Sequence, residues 1–276
     1  MSEPVLLYGV DNGLATITLN NPARRNAMSL EMTDRLDEAL VAAATDPTVR
    51  VIVITGAGPA FCSGGDVDRL KDRAVGGQEQ ERSPIKPSEF FNVVPGIAPE
   101  FQTRYTFAMG LPVPVIAAVN GPAIGAGFLL ALHCDIRFAS TSAAFMTGFA
   151  RIGATPEVGM AWTLSQTIGA GRAREMMLSG RRIGAEEAQA IGLVTQVLEP
   201  DALTSHTLNY ARELAERISP RSVRVIKRQL HEAPAQTFAQ AYFASGEDAR
   251  VSLASEDFQE GLAALKERRA PRFTGR

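Results

Sequence analysis

Cysteine is scarce in this chain: Cys62 and Cys134 are the only two among 276 residues. Two such thiols build neither a disulfide framework nor a zinc site, and a reducing, cytoplasmic compartment fits them best. Histidine is almost as thin. His133, His206 and His231 fall on predicted helices without ligand spacing, so they read as structural or solvated and no metal centre is expected. Neither sign of charge is in excess, with 28 Lys and Arg against 30 Asp and Glu. That balance excludes a dedicated nucleic-acid binder, which needs a concentrated basic field. Met1-Ser2-Glu3-Pro4 has no basic stretch leading into an apolar run, so no secretory leader is expected. One long run lacks charge altogether, Gly110 to Cys134. Pro112, Pro114, Asn120, Pro122 and the glycines between Gly121 and Gly127 interrupt it. It reads as a buried strand, a Gly-rich turn and a buried helix, not as a membrane span.

What the chain does have is apolar material. The hydrophobic fraction is 45%, enough to offset chain entropy and to exclude disorder as the main state. The length suits one large domain or two small ones. Ala15 to Leu19 alternates like a half-buried strand and ends at Asn20-Asn21-Pro22. Ser29 can cap a helix with Glu31 in its first turn, and Met32, Leu36 and Leu40 then form one apolar face. Val51-Ile52-Val53-Ile54 reads as a strand buried on both faces.

A pattern then repeats. A strand, a turn at Gly56-Ala57-Gly58-Pro59 and the run Phe61-Cys62-Ser63-Gly64-Gly65-Asp66 lead into a predicted helix. Val115 to Val119, Asn120-Gly121-Pro122 and Gly125-Ala126-Gly127 repeat the order, with a helix through Leu132. Asp135 to Ala139 followed by Thr155-Pro156-Glu157 repeats it more loosely, with Thr155 as N-cap and Pro156 in the first turn. Such repetition predicts α/β layering with helix starts gathered at one edge. Residues 73–106 are polar and turn-rich, then aromatic at Phe90, Phe91, Phe101 and Tyr105. They read either as an excursion over a pocket or as a surface insertion. From Asp201 the chain is helical: Leu208, Ala211, Leu214 and Ile218 make one stripe, and Phe258, Leu262 and Leu265 another. These faces are expected to pack on the core or on a neighbouring subunit. The organisation expected is a core over 1–200 and a helical region over 201–276.

Common side-chain motifs fail. No glycine pair has the third glycine of a dinucleotide fingerprint, no lysine completes a phosphate loop, and Ser63 lacks the glycine of a nucleophile elbow. What remains is backbone chemistry. Two Gly-rich turns that follow buried strands and open helices offer unpaired N–H donors to a ligand oxygen. Together they would make an oxyanion hole. Read alone, the same turns are equally compatible with tight strand–helix connections.

The residues resemble those of the crotonase superfamily, the enoyl-CoA hydratase/isomerase family. The resemblance runs from Leu19-Asn20-Asn21-Pro22 and Asn26-Ala27-Met28 through VIVITGAGPAFCSGGD, which ends at Asp66. It continues in PVIAAVNGPAIGAGFLLALHCD (114–135), RRIGAEEAQAIGLVT (181–195) and the closing EGLAALKERRAPRF. The resemblance implies an α/β spiral of repeated ββα units with a helical C-terminal region. It also implies assembly as a homotrimer or a hexamer, and an acyl-CoA thioester as substrate. No separate cofactor is implied, since coenzyme A is part of the substrate. By motif, the thioester oxygen is expected at the Gly65 and Ala126 amides, flanked by Gly64 and Gly125. Arg24 and the backbone around Ser63 are expected to hold CoA, with Arg25 and Lys227 as weaker candidates. Asp66 and Asp135 are expected to cap or pair structurally.

The departures matter most. Hydratases of the family use two glutamates, and this chain has Leu129 and Phe149 at those positions. Glu157 is left, at a position where Δ3,Δ2-enoyl-CoA isomerases of the family place their acid. The resemblance therefore implies an isomerase that uses one carboxylate. Leu129, Phe149 and Trp162 are expected to line the acyl site and to desolvate Glu157. Epoxide or dienoyl isomerisation at Glu157 is an alternative, as is a non-catalytic acyl-CoA binder. On helix-start grammar alone, Glu157 is a helix-dipole partner.

Overall fold

A computed structural model of the chain describes residues 3–66, 71, 101 and 103–276. Most of the segment 73–106, and the helix expected after Asp66, lie outside the described residues. The alternating strand Leu14–Leu19 (β2) pairs antiparallel with Leu6–Asp11 (β1). The hairpin turns at Asn12 and Gly13, both in the left-handed region with φ of 48° and 81°, the pairing of residue types that suits such a turn. Val51–Gly56 (β3) lies parallel to β2. Val115–Val119 (β4), Ile136–Ser140 (β6) and Gln196–Leu198 (β9) continue the sheet in the order β1-β2-β3-β4-β6-β9.

The β-branched run of β3 is buried on both faces, as its composition predicts. Ile52 and Ile54 face the main core with Met32, Leu36 and Leu40 of the helix Leu30–Thr45 (α1). Ser29 caps that helix as expected, its Oγ accepting the Met32 N–H at 3.1 Å. Val51 and Val53 face a second core with Leu203 and Ala211.

A smaller layer runs alongside. Pro122–Ile124 (β5) pairs parallel with Ala144–Met146 (β7), which pairs antiparallel with Ile183–Gly184 (β8). Cys62 joins this layer through a parallel bridge to Ala123. Each repeat therefore places one strand in the large sheet and a second in the small one: β3 with Cys62, β4 with β5, β6 with β7. Stacking these pairs by parallel ladders gives the expected spiral of ββα units. The helix Ala126–Leu132 (α3) follows β5, and Met160–Ile168 (α4) follows β7 after a loop; Phe107–Gly110 (α2) precedes β4. The uncharged stretch is thus strand, turn and core helix, and no helix among the described residues is long and apolar enough to cross a membrane.

Ala170–Ser179 (α5) and Ala185–Ala190 (α6) lead to β9. The chain is then helical, through Pro200–Arg217 (α7), Pro220–Glu232 (α8), Phe238–Leu253 (α9) and Glu256–Glu267 (α10). Of the two C-terminal stripes, that of α7 packs on the sheet, though Ile218 falls just beyond the helix and stays exposed. The α10 stripe does not pack on the core: Phe258, Leu262 and Leu265 are exposed.

Lys227 corrects an expectation. Placed among the weaker CoA-binding candidates, it is buried, and its Nζ donates to Asp135 Oδ2 at 2.7 Å and to the Ala108 and Val113 carbonyls. Asp135 also accepts the Val115 N–H at 2.7 Å. The pair ties α8 to the entry of β4, which is the structural role expected of Asp135. Lys227→Met is expected to cost roughly 3 kcal/mol, since it strands the Asp135 carboxylate. That is the lower end of the range for such pairs, because Asp135 keeps 22% side-chain exposure. Urea denaturation reads the loss.

Candidate active site

The first Gly-rich turn is built around Asn26. It is fully buried with φ of 55°, and its amide nitrogen donates to the Ala57, Ala60 and Phe61 carbonyls at 2.9, 2.8 and 3.2 Å. Its Oδ1 accepts the Asn21 N–H. One side chain thereby shapes the whole run from Gly56 to Phe61. Asn120 works beside it: its Oδ1 accepts the Gly56 N–H and its Nδ2 donates to the Gly58 carbonyl. The turn then descends into the small layer, where the Cys62 N–H bonds the Pro122 carbonyl and the Cys62 carbonyl accepts from Ile124.

Gly64 brings the two turns together. Its φ is 98°, and a Cβ there would stand 2.7 Å from the Ile124 carbonyl oxygen and 3.7 Å from the Ala126 amide nitrogen. Only glycine allows that approach. Gly127, in the first turn of α3, is equally constrained, because its Cβ would lie 2.3 Å from the Cys62 carbonyl oxygen. Gly127→Ala is expected to lower the unfolding free energy by about 3 kcal/mol or more, since rigid backbone stands in the way. A thermal denaturation curve checks this.

The second turn is pinned from below. The Gly125 N–H donates to the Met146 carbonyl at 2.9 Å, while the Gly125 carbonyl accepts from Leu129. Ala126 is the first residue of α3. No described residue accepts a hydrogen bond from the Gly65 or Ala126 N–H. Both residues are partly exposed, whereas Gly64 and Gly127 are buried. Two amides with no acceptor among the described residues, on adjoining turns that reach solvent, are donors suited to an anionic oxygen.

Leu129 is buried in α3, and Phe149 is half-buried at the start of the 3-10 turn Phe149–Ile152. Neither side chain can move a proton. Gly148, just before Phe149, lies against Ile124 Cγ2 and Met146 Cε, so this turn sits beside β5 and the second glycine turn.

Glu157 departs from two expectations. It does not occupy a first helical turn: α4 starts at Met160 with Gly159 as its cap, and Thr155 caps nothing. The reason lies in the backbone. Val158 and Gly159 are both left-handed, with φ of 57° and 70°, a reversal between Glu157 and the helix that no helical turn contains. A β-branched residue in this conformation is a strained one. Nor is Glu157 desolvated. It is exposed, and Trp162, expected to enclose it, lies 46% exposed on α4. The Glu157 carbonyl accepts the Met160 N–H at 3.2 Å, and the Gly159 carbonyl accepts from Thr163 at 3.0 Å.

A buried histidine joins this loop's helix to α3. His133 Nδ1 lies 2.9 Å from the Tyr105 carbonyl and Nε2 lies 3.4 Å from Thr163 Oγ1. Burial pushes its pKa down to about 4. The ring is therefore neutral, donating from Nδ1 and accepting from Thr163. This is the structural role expected of it. His231 stacks near Phe101, and His206 packs edge-on against Phe138.

Arg24 ends the 3-10 turn Pro22–Arg24, with its side chain 53% exposed and 3.4 Å from the buried Asp66 carboxylate. Asp66 is thus paired structurally, as expected. The Ser63 N–H donates to the Arg25 carbonyl at 2.9 Å and its Oγ to the Arg24 carbonyl at 3.4 Å. Arg24, Ser63, Gly64 and Gly65 therefore form one continuous rim. Among the described residues no cluster of His, Cys, Asp and Glu is suited to a metal ion.

Two contributors carry little signal in the sequence. Asn26 and Cys62 act through partners far along the chain, and only the asparagine, a residue type tolerant of positive φ, offers a local hint.

Comparison with known proteins follows the same lines. The model of the family described as Enoyl-CoA hydratase/isomerase matches residues 9–276. The chain is 34% identical to the 1,2-epoxyphenylacetyl-CoA isomerase of Escherichia coli over 271 residues, 98% of each chain. It is 37% identical over 281 residues, the whole of both chains, to a protein of Rhodobacter capsulatus named "Probable enoyl-CoA hydratase". A crystal structure of a probable enoyl-CoA hydratase/isomerase from Mycobacterium abscessus superimposes with a TM-score of 0.85. It is 32% identical and covers 98% of this chain and 99% of that one.

Proposed function

The chain belongs to the enoyl-CoA hydratase/isomerase family, and within it we propose an acyl-CoA enzyme, a single-carboxylate isomerase that moves the double bond of a 3-enoyl-CoA to the 2-position. One observation carries the reading. Two adjoining turns leave the Gly65 and Ala126 amides without acceptors among the described residues, while the family's two hydratase positions hold Leu129 and Phe149 and Glu157 supplies a carboxylate.

In this reading the thioester carbonyl accepts hydrogen bonds from Gly65 and Ala126. Glu157 removes a proton from C2. The electron pair moves onto the thioester oxygen as an enolate, where the two amides hold it. Protonated Glu157 then delivers the proton to C4 on the same face, the pair returns from oxygen, and the double bond ends conjugated. No water is consumed and no second acid is needed. Leu129, Phe149 and Trp162 serve the acyl chain, and Gly64 and Gly125 give the oxygen room. Arg24 and the Ser63 backbone lie along the CoA side, Arg24 exchanging its Asp66 contact for a phosphate. No separate cofactor takes part.

Assembly is part of the proposal. Phe238, Phe243 and Leu265 on α9 and α10 are 86%, 74% and 77% exposed, apolar side chains that a neighbouring subunit would bury. A trimer, or two trimers face to face, would cover these helices.

The test is an assay of purified protein with 3-hexenoyl-CoA and, separately, crotonyl-CoA. Conjugation of the first without hydration of the second is the expected result. Hydration of crotonyl-CoA, or tight binding with neither reaction, overturns it. A second reading has a specific support, since the Escherichia coli relative is named as an isomerase of 1,2-epoxyphenylacetyl-CoA. The same donors and the same carboxylate suit that chemistry, and product analysis with each substrate separates the two.

A further inference from the structure

Cys62 is buried between the two turns and has no part in the proton transfer. Its backbone ties the first turn to β5, with its N–H on the Pro122 carbonyl at 3.1 Å and its carbonyl on the Ile124 N–H at 3.0 Å. Its side chain does something separate. Sγ accepts the Gly64 N–H at 3.4 Å. The same sulfur lies 2.8 Å from where a Cβ on Gly127 would stand, so it rests against the first turn of α3. Gly64 is buried, and its carbonyl is already engaged by the Met28 N–H at 2.8 Å. The peptide on the far side of Gly64, which carries the Gly65 N–H, is thereby fixed by hydrogen bonds on both flanks.

We propose that Cys62 is a positioning residue for the oxyanion hole: its sulfur turns the Gly64 N–H inward and so aims the Gly65 N–H at the oxygen site beside Ala126. The inference rests on the reading of Gly65 and Ala126 as the donors. It assigns a reason for sulfur at this position. A buried N–H needs an acceptor, and a thiol sulfur supplies a weak one with a long reach. Gly64, which carries that N–H, is a glycine with φ of 98°; without the acceptor its following peptide is held by the Met28 bond alone and can pivot about it. The rotation would swing the Gly65 N–H away from the Ala126 N–H. Burial pushes the Cys62 thiol up to about 12, so it stays protonated and is neither nucleophile nor thiolate.

The test uses the intact enzyme and a chromophoric thioester, 4-(dimethylamino)cinnamoyl-CoA, whose absorbance moves red as its carbonyl is polarised. Cys62→Ala removes the acceptor. It is expected to shrink the red shift of the bound probe and to lower kcat by about 10- to 100-fold, less than the 10²–10³ that follows deletion of a whole donor. KM is expected to stay within about twofold. Cys62→Ser keeps an acceptor and is expected to recover most of both. If Cys62→Ala does not fold, Cys62→Val, which fills the volume without an acceptor, takes its place. A folded variant lacking the acceptor with the full red shift and full kcat overturns the proposal. So does Cys62→Ser falling as far as Cys62→Ala, because volume and not hydrogen bonding would then decide. A wild-type complex with no red shift strikes instead at the oxyanion reading on which the inference stands.

Discussion

Glu157→Gln is expected to stop the conjugation of 3-hexenoyl-CoA, with kcat down by roughly 10²–10⁴-fold, or about 3–5 kcal/mol in the barrier. The glutamine has the size of the glutamate and keeps its hydrogen-bonding reach, but it cannot take a proton from carbon. The loss is expected to be large because one group does both jobs. A two-carboxylate enzyme that loses one acid keeps the other, whereas Leu129 and Phe149 leave nothing in reserve. KM is expected to change little, since the CoA end of the substrate is proposed to lie along Arg24 and Ser63, away from Glu157. Folding is expected to be untouched. Glu157 is exposed, and the loop that carries it is held by main-chain bonds, Glu157 carbonyl to Met160 and Gly159 carbonyl to Thr163. The left-handed Val158 supports the same reading. A β-branched residue at φ of 57° costs roughly 1–2 kcal/mol, and such strain tends to persist where a side chain must be aimed. A variant with wild-type rates would remove Glu157 from the chemistry and leave the helix-dipole reading, which the backbone here already disfavours.

How much of this was legible in the sequence follows from the range of the interactions involved. The strand β3 could be read because a β-branched run buried on both faces has a local signature. The turns could be read because glycines cluster where main chain meets main chain. Gly64 and Gly127 bear this out, with imagined Cβ atoms 2.7 and 2.3 Å from carbonyl oxygens. Thr155-Pro156-Glu157 misled because a cap residue, a proline and an acid fit a helix start and a loop equally well. Only the positive φ at Val158 decides between them, and valine is the residue from which that conformation is least expected. Lys227 misled for another reason. A lysine on an amphipathic helix is ordinarily solvated, and its burial depends on Asp135, 92 positions away. Asn26 and Cys62 share that property, since their partners lie in other turns of the spiral. Trp162 and Glu157 are exposed where enclosure was expected, because enclosure depends on side chains from other elements that the local sequence does not reveal.

Ala126→Pro tests the oxygen site without touching any side-chain chemistry. Position 126 opens α3, and the first residue of a helix is where proline is tolerated, because its N–H has no partner inside the helix. The preceding residue ordinarily objects to proline through its Cβ. Here it is Gly125, at φ of 51° and ψ of −115°, and it has none. Its own bonds, the N–H to Met146 and the carbonyl from Leu129, do not involve the Ala126 nitrogen. The substitution therefore deletes one N–H and sets a ring carbon where the thioester oxygen is proposed to lie. Removing one such donor costs roughly 10²–10³ in rate, and the ring carbon adds a steric term to binding. kcat/KM for 3-hexenoyl-CoA is expected to fall at least that far, with the melting temperature close to that of the parent protein. The contrast with Gly127→Ala, one residue on, makes the comparison decisive. That change leaves the N–H in place and is expected to fail in stability, while Ala126→Pro is expected to fail in rate. If Ala126→Pro instead kept its rate, the Ala126 amide would be an ordinary helix end and the two turns no more than tight connections between strand and helix.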